Sequence, residues 1–108
     1  HRYAPGEIEV AGQRLHAPCI ISPARLIIDW AVRAGSELEL ADLEPILALR
    51  PSIVLLGADV AAVPRGSTVR RTLAARRIAF ESMDLGAACR TYNVLAQERR
   101  EVVAGLFP

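Results

Sequence analysis

The sequence predicts a mixed α+β fold, with about three helices packed on a central sheet, from three observations. The front of the chain alternates polar and apolar residues over 7–10 and 13–15 around a glycine, which is typical of a β-hairpin. The middle contains short continuous apolar runs, as in strands that are covered on both faces. Between these runs, apolar residues recur at helical spacing. An antiparallel front followed by alternating strands and helices indicates the α+β class.

Length and composition favour one domain over 1–108, with residues 1–6 loosely ordered, because 108 residues is close to the commonest domain size. Hydrophobic residues make up 52% of the chain, which is enough to form a core. The longest apolar run falls far short of the roughly 20 residues of a membrane span. We therefore expect no transmembrane segment, and peripheral association with a membrane is the alternative that the sequence allows. A net charge of +1 provides no general attraction to nucleic acid.

Source and compartment are inferred from residue usage. All 13 basic residues are arginine and alanine is abundant, which indicates a GC-rich bacterial coding sequence. No targeting segment leads the chain, and Cys19 and Cys89 do not make a disulfide framework, so we expect a cytoplasmic protein. Both cysteines have apolar neighbours, as buried free thiols commonly do.

Five further strands are expected after the hairpin. Their apolar runs lie, in chain order, at 19–21, 25–30, 52–57, 80–83 and 101–107. Breaks at 22–23 and 34–36 end the first two strands, and a proline-containing loop at 58–66 follows the third.

Two helices are expected before the long helix that follows residue 84. Residues 40–49 have helical spacing and include Pro45, which a helix tolerates only in its first turn. We therefore expect this helix to begin near Asp42, with the aspartate as its N-cap. Ser67 can cap a second helix that runs to about Arg77.

A strand that leads directly into a helix, over 79–94, organises the rest of the chain. Asp84 stands at the junction and can accept from the free N–H groups of Gly86 or Ala87, so it is the expected N-cap. The residues that we expect on the buried side of the helix are Ala87, Ala88, Thr91, Val94 and Leu95, with Cys89, Tyr92 and Ala96 extending it. The polar stripe contains Arg90, Asn93, Gln97 and Arg100. This stripe could hold a ligand or a partner, or it could bind carbonyl groups of the neighbouring strand.

The run M-D-L-G-A-A-C-R-T-Y-N, from Met83 to Asn93, resembles the most characteristic segment of a family of small proteins of unknown function. That family includes the mitochondrial assembly factor three of respiratory complex I. The run I-V-L-L-G, from Ile53 to Gly57, is similar to a strand and glycine turn of the family, whereas Leu85 stands where the family form has threonine. The resemblance implies an Mth-type fold, in which an antiparallel hammerhead-like front joins a Rossmann-like back, and it implies no known activity.

Phosphate-binding and anion-binding sites have weak support in the sequence. Gly57-Ala58-Asp59 lacks the glycines that let a backbone approach a pyrophosphate. The helix N-terminus near Gly86 could bind an anion beside Arg90, but the carboxylate of Asp84 would occupy that position and repel a phosphate. We therefore expect no nucleotide cofactor.

Thiol, metal and nucleic-acid chemistry are also weakly supported. A nucleophilic Cys89 needs a nearby base, and nothing in the sequence brings His16 to it. A metal site made of His16, Cys19 and Cys89 has no recognised ligand spacing. The arginines at 70, 71, 76 and 77 point to different sides of their helix, and five aromatic residues are few for stacking bases. We expect no metal, no cofactor and no nucleic-acid partner.

The missing catalytic constellation and the near-neutral charge predict a non-enzymatic protein-interaction module with a protein partner, whose identity and oligomeric state the sequence leaves open. The resemblance implies an assembly-factor-like role for a bacterial relative of a respiratory complex I assembly factor. The expected binding residues are Gly57, Asp84, Arg90, Thr91, Tyr92, Asn93 and Gln97. The alternative is a small-molecule-binding or enzymatic domain, with a pocket between the Gly57 turn and 84–93. Thr91 and Tyr92 could instead be core residues with satisfied hydroxyl groups.

Overall fold

The structure, a computed structural model, describes residues 2–4, 6–33, 37–58 and 67–108. These residues form eight strands and three α-helices, in the chain order β1 (Arg2–Ala4), β2 (Glu7–Val10), β3 (Gln13–Leu15), β4 (Cys19–Ile21), β5 (Leu26–Ile27), α1 (Glu44–Leu47), β6 (Ile53–Gly57), α2 (Thr68–Ala75), β7 (Ala79–Met83), α3 (Leu85–Gln97) and β8 (Val102–Leu106). A 3₁₀ helix, Leu40–Leu43, leads into α1. The predicted strand end at 34–36 and residues 59–66 of the predicted loop lie outside the described residues.

The strands form two sheets, and their pairing confirms the predicted fold class. β1, β2 and β3 make an antiparallel three-stranded sheet at the front of the chain. The second sheet has the order β5-β4-β8-β6-β7. Its strands β8, β6 and β7 are parallel, whereas β4 is antiparallel to both of its neighbours. The sheet is therefore mixed, as an antiparallel front and an alternating middle predict.

Both faces of the five-stranded sheet are covered, which explains the continuous apolar runs of its central strands. Alternate residues of a strand point to opposite faces. Ile53 and Leu55 pack on the side of α3 and the hairpin sheet, and Val54 and Leu56 pack on the side of α1 and α2. Every residue of β6 and β8 is buried as a result. The two faces make two hydrophobic clusters with this sheet between them.

Residues 2–4 are more regular than predicted. We expected 1–6 to be loosely ordered, but Arg2–Ala4 pairs with β2 in antiparallel register. The pairing extends the hairpin to a third strand, which satisfies backbone groups that a loose segment would leave to water. Because the segment has no alternating pattern of its own, the sequence does not reveal this strand.

The predicted strand at 25–30 is reduced to Leu26–Ile27. A tight turn precedes it, in which the Ser22 N–H donates to the Arg25 carbonyl at 2.8 Å. After Ile27 the chain leaves the sheet and places Trp30 on the α1 side, where its ring centroid lies 5.2 Å from that of Phe107. The end of this segment therefore buries the indole ring of Trp30 and does not pair as a strand.

Asp42 is not the N-cap of an α-helix, so this prediction was wrong. The helix begins with the 3₁₀ turn, and the Asp42 carboxylate accepts the Glu39 N–H at 2.8 Å, one side of a capping box. The Asp42 carbonyl accepts the Trp30 indole N–H at 2.8 Å. Pro45 lies in the first turn of α1, as predicted. Asp42 thus stabilises the turn before α1 and anchors the indole.

The buried face of α3 matches the predicted one in part. Its buried residues are Leu85, Gly86, Ala88, Cys89 and Tyr92. Val94, which we expected on the buried side, is 54% exposed. Ala88, Cys89 and Tyr92 were predicted to be buried. Leu85 was not, but its side chain packs in the same hydrophobic cluster between the helix and the sheet.

Candidate functional site

The junction between β7 and α3 has the predicted cap. Asp84 has an extended backbone, and its Oδ1 accepts the Ala87 N–H at 2.8 Å. A carboxylate at this position accepts a hydrogen bond from one of the free N–H groups of the first turn. Its negative charge also interacts favourably with the positive end of the helix dipole. Asp84 therefore holds the start of α3 in place, and its carboxylate opposes the binding of an anion there.

Gly57, the last residue of β6, lies directly beneath the first turns of α3. A Cβ atom at Gly57 would lie 2.7 Å from the Ala88 Cβ, 3.0 Å from the Leu106 Cδ2 and 3.4 Å from the Leu85 Cα. The Gly57 carbonyl accepts the Phe107 N–H at 2.8 Å. The strand and the helix are in contact at this point, so the space in which we expected a pocket is filled by α3 itself.

A groove of about 640 Å³ lies further along α3 and is called the α3 groove below. Tyr92, Asn93 and Gln97 of α3 line it. The turn Ser22–Arg25 and the hairpin residues Val10 and Ala11 line it as well. The α3 groove therefore lies where the helix, the hairpin sheet and the five-stranded sheet meet.

Three of the seven predicted binding residues line the α3 groove, namely Tyr92, Asn93 and Gln97, and four do not. Arg90 is exposed on α3 outside the groove lining. Thr91 is turned toward β7, where its hydroxyl lies 3.5 Å from the Met83 sulfur. Asp84 and Gly57 serve the helix cap and the packing of the helix on the sheet.

The residues that the front of the chain contributes to the α3 groove are not apparent from the sequence. Ser22 and Pro23 were interpreted only as a strand break, and Arg25 as the start of a strand. No local pattern links this turn to α3, because the contact follows from the antiparallel pairing of β4 with β8. A signal was present only in the tight Ser-Pro turn, which exposes Arg25.

The titratable groups of the α3 groove favour binding by hydrogen bonds. Burial raises the pKa of the Tyr92 hydroxyl above its ordinary value, which keeps the hydroxyl protonated and able to donate. Arg25 is exposed in the turn on the other part of the lining. Asn93 and Gln97 carry uncharged carboxamide groups, each with donors and an acceptor.

The two cysteines are buried free thiols, as predicted. Burial, with a smaller effect of the neighbouring Cys89, raises the pKa of Cys19 to about 11. Burial also raises the pKa of Cys89. His16 lies elsewhere, exposed, with its Nε2 3.0 Å from the Glu7 carboxylate. Protonated thiols without a histidine beside them are poor nucleophiles.

Metal binding and membrane spanning have no structural support within the described part of the chain. In residues 2–4, 6–33, 37–58 and 67–108, no three histidine, cysteine or acidic side chains are grouped as metal ligands. The longest helix of that part, α3, is too short and too polar to cross a bilayer.

Comparison with known protein families identifies the chain. A family described as a protein of unknown function (DUF498/DUF598) matches residues 1–107. The chain belongs to this family. One relative, the zebrafish (Danio rerio) NADH dehydrogenase (ubiquinone) 1 alpha subcomplex assembly factor 3, is 30% identical over 110 residues. The match covers 100% of this DUF498/DUF598 chain and 63% of the zebrafish protein, so the chain spans less than two thirds of that relative.

Solved structures of bacterial proteins share the fold of this DUF498/DUF598 member. A crystal structure from Bordetella parapertussis matches with a TM-score of 0.88 and 31% identity, covering 100% of this chain and 92% of the other. A solution structure from Bordetella pertussis, described as a Mth938-like domain, matches with a TM-score of 0.80 and 26% identity, covering 95% and 80%. These similarities confirm the predicted family and the predicted Mth-type fold.

Proposed function

We propose that this chain is a non-enzymatic, assembly-factor-like module that binds a partner protein, and that an extended segment of the partner occupies the α3 groove. The observation that carries the proposal is the pair of carboxamides, Asn93 and Gln97, in a groove of about 640 Å³. Residues four apart on a helix lie on the same face. Each carboxamide can accept from a peptide N–H and donate to a peptide carbonyl.

The chemistry of the groove supports binding over catalysis. Of the described residues that line it, the titratable ones are Arg25 and Tyr92, so a carboxylate or imidazole base is lacking there. The Ser22 hydroxyl accepts the Arg25 N–H at 3.1 Å and shapes the turn. A general base within hydrogen-bond reach is what a hydroxyl nucleophile requires.

The relatives support the assembly-factor part of the proposal. The zebrafish relative is named as an assembly factor, and a role in assembly fits a chain that binds other proteins. The chain spans only 63% of that relative. We therefore propose protein binding in general and no particular complex. A cytoplasmic location and a single domain over 1–108 are further parts of the proposal.

Affinity capture with matched variants tests the proposal. The purified chain is used as bait in an extract of its own cells, membranes included, and bound proteins are identified by mass spectrometry. The test variant is Asn93→Ala/Gln97→Ala, which removes both carboxamides without a change of charge. Arg90→Ala is the control on the same helix, because Arg90 is exposed outside the groove lining. Circular dichroism and thermal melting first establish that both variants fold.

We expect a defined partner that the wild type and Arg90→Ala enrich and that the double variant loses. A partner retained by the double variant places the contact elsewhere and refutes the groove as the site. A partner lost only with Arg90→Ala moves the site to the exposed edge of α3. If no protein is enriched by the wild type, the binding role itself is refuted.

A further inference from the structure

Among the described residues, three arginines have a left-handed backbone, and each follows the end of a helix. Arg50, Arg77 and Arg99 have φ angles of 53°, 59° and 59°. Glycine is the residue usually found in this conformation after a helix, because it has no Cβ to crowd the following carbonyl. Helix termination alone therefore does not explain why arginine occupies all three positions.

The hydrogen bonds show that α2 and α3 end in the same motif. After α2, the Arg77 N–H donates to the Ala74 carbonyl at 3.0 Å and the Ile78 N–H donates to the Leu73 carbonyl at 2.9 Å. After α3, the Arg99 N–H donates to the Ala96 carbonyl and the Arg100 N–H to the Leu95 carbonyl, both at 3.0 Å. This pair of bonds is the Schellman motif, and Arg77 and Arg99 occupy its glycine position.

The register of the parallel strands brings these helix ends to one edge of the sheet. Ile53 is aligned with Ala79 on one side and with Val102 on the other. Arg50, Arg77 and Arg99 precede these three aligned residues by three, two and three positions. Neighbouring strands are about 4.8 Å apart, so the three strand starts fall within about 10 Å.

We call this surface the arginine edge. It consists of Arg50, Arg76, Arg77, Arg99 and Arg100. All five are exposed, and among the described residues no salt bridge joins any of them to a carboxylate. Only two exposed glutamates, Glu98 and Glu101, lie in the same short connections. A chain with a net charge of +1 thus concentrates positive charge on one edge.

We infer that the arginine edge binds an acidic segment of a partner protein through arginine–carboxylate pairs. The planar guanidinium group donates two parallel hydrogen bonds to a carboxylate, which a lysine cannot do. The chain has 13 arginines and no lysine. The inference does not rest on the α3 groove, since none of the five arginines lines it.

Two other anionic partners fit this edge less well. Single-stranded nucleic acid is held by stacking on aromatic side chains. Trp30, Tyr92 and Phe107 are buried, and the ring of Phe80 is covered by Arg70. Binding to a membrane surface combines charge with insertion of apolar side chains. Among the described residues, the large apolar side chains that are exposed are Ile28 and Val94, and neither lies in the connections that carry the five arginines. Glu98 and Glu101 lie among the arginines and would repel a continuous anionic surface. The separate carboxylates of a peptide can pair with the arginines between them.

Fluorescence anisotropy with a labelled decaglutamate peptide at low salt tests the inference. The test variant Arg50→Gln/Arg77→Gln removes two charges from the arginine edge. The control Arg14→Gln/Arg33→Gln removes two exposed charges elsewhere. We expect the wild type to bind with an affinity that falls as salt is added. The test variant is expected to bind about fivefold more weakly or worse, since two exposed ion pairs are lost, and the control to stay within about twofold.

A second variant separates binding from stability. Arg77→Gly/Arg99→Gly removes two arginines and places glycine at the two left-handed positions. We expect it to bind decaglutamate more weakly while its melting temperature stays the same or rises, because the backbone strain is released. A fall in melting temperature with unchanged peptide binding would show that these arginines only support the helix ends.

The remaining outcomes also decide the matter. Failure of the wild type to bind decaglutamate, or equal weakening in the test and control pairs, refutes the assignment. Tighter binding of duplex DNA or of phosphatidylserine vesicles than of the peptide would assign the edge to nucleic acid or membrane instead. Loss of peptide binding in Asn93→Ala/Gln97→Ala, which leaves the arginines intact, would move the acidic segment into the α3 groove and refute the edge.

Discussion

Substitution of Gly57 by alanine is the sharpest test of how α3 is held. The new Cβ would lie 2.7 Å from the Ala88 Cβ, about 1 Å closer than carbon atoms pack. The Leu85 Cα, at 3.4 Å, is a backbone atom and cannot rotate away. The helix must therefore shift from the sheet. Overpacking of this kind costs about 1–3 kcal/mol, and we expect the upper end of this range because both partners are regular elements.

Urea and thermal unfolding measure this effect. A loss of about 3 kcal/mol is a large part of the total stability of a small domain and lowers the melting temperature by about 10 °C or more. Ala88→Gly removes the atom in closest contact and by itself costs about 1 kcal/mol through helix propensity. We expect the double variant Gly57→Ala/Ala88→Gly to be at least about 1 kcal/mol more stable than the sum of the single effects predicts.

Two results would refute this reasoning. If Gly57→Ala changes the free energy of unfolding by less than about 0.5 kcal/mol, α3 does not lie this close to β6. If the double-variant effects are simply additive, the contact with Ala88 is not the cause of the loss. A variant that keeps full stability but loses partner capture would instead restore Gly57 as a binding residue.

Three further perturbations have defined outcomes. In Gly105→Ala the Cβ would meet the Trp30 ring at 2.7 Å, so we expect a loss of about 1–3 kcal/mol and an altered near-ultraviolet signal from the single tryptophan; an unchanged signal would contradict the packing. Asp84→Ala should cost about 1 kcal/mol in urea unfolding and Asp84→Asn much less, whereas equal losses would exclude the cap. Because the pKa of Cys19 is raised from 9.0 to about 11, the unfolded chain ionises first, and stability should fall between pH 9 and 11. Unfolding at pH 8 and pH 10.5 should show a smaller fall in Cys19→Ala than in the wild type, and an identical fall would contradict the raised pKa.

Much of the fold follows from local signals. The hairpin, the cap residues Ser67 and Asp84 and the buried strand β6 lie where their patterns predict, because turns, caps and apolar runs are local features. The errors occur where a tertiary contact overrides the pattern. The segment after Ile27 leaves the sheet to bury Trp30. The Asp42 carboxylate completes the capping box of a 3₁₀ turn that no periodicity reveals.

The candidate site was less predictable than the fold. Asn93 and Gln97 stood out because a polar stripe on an apolar helix is visible in sequence. The turn that completes the α3 groove, Ser22–Arg25, could not be found, since its position depends on the pairing of β4 with β8. Gly57 was interpreted as a ligand position because a glycine at the end of a strand can make room either for a ligand or for a packed helix. The contact with Ala88 shows that it makes room for a helix here.

The position of β8 has a consequence for how the chain folds during synthesis. β8 follows every other described strand in sequence, yet it lies between β4 and β6. Until the ribosome has released residues up to Leu106, β4-β5 and β6-β7 are two separate pairs with exposed apolar edges. The sheet therefore closes late and through contacts distant in sequence, which slows folding and prolongs the exposure of unpaired strand edges.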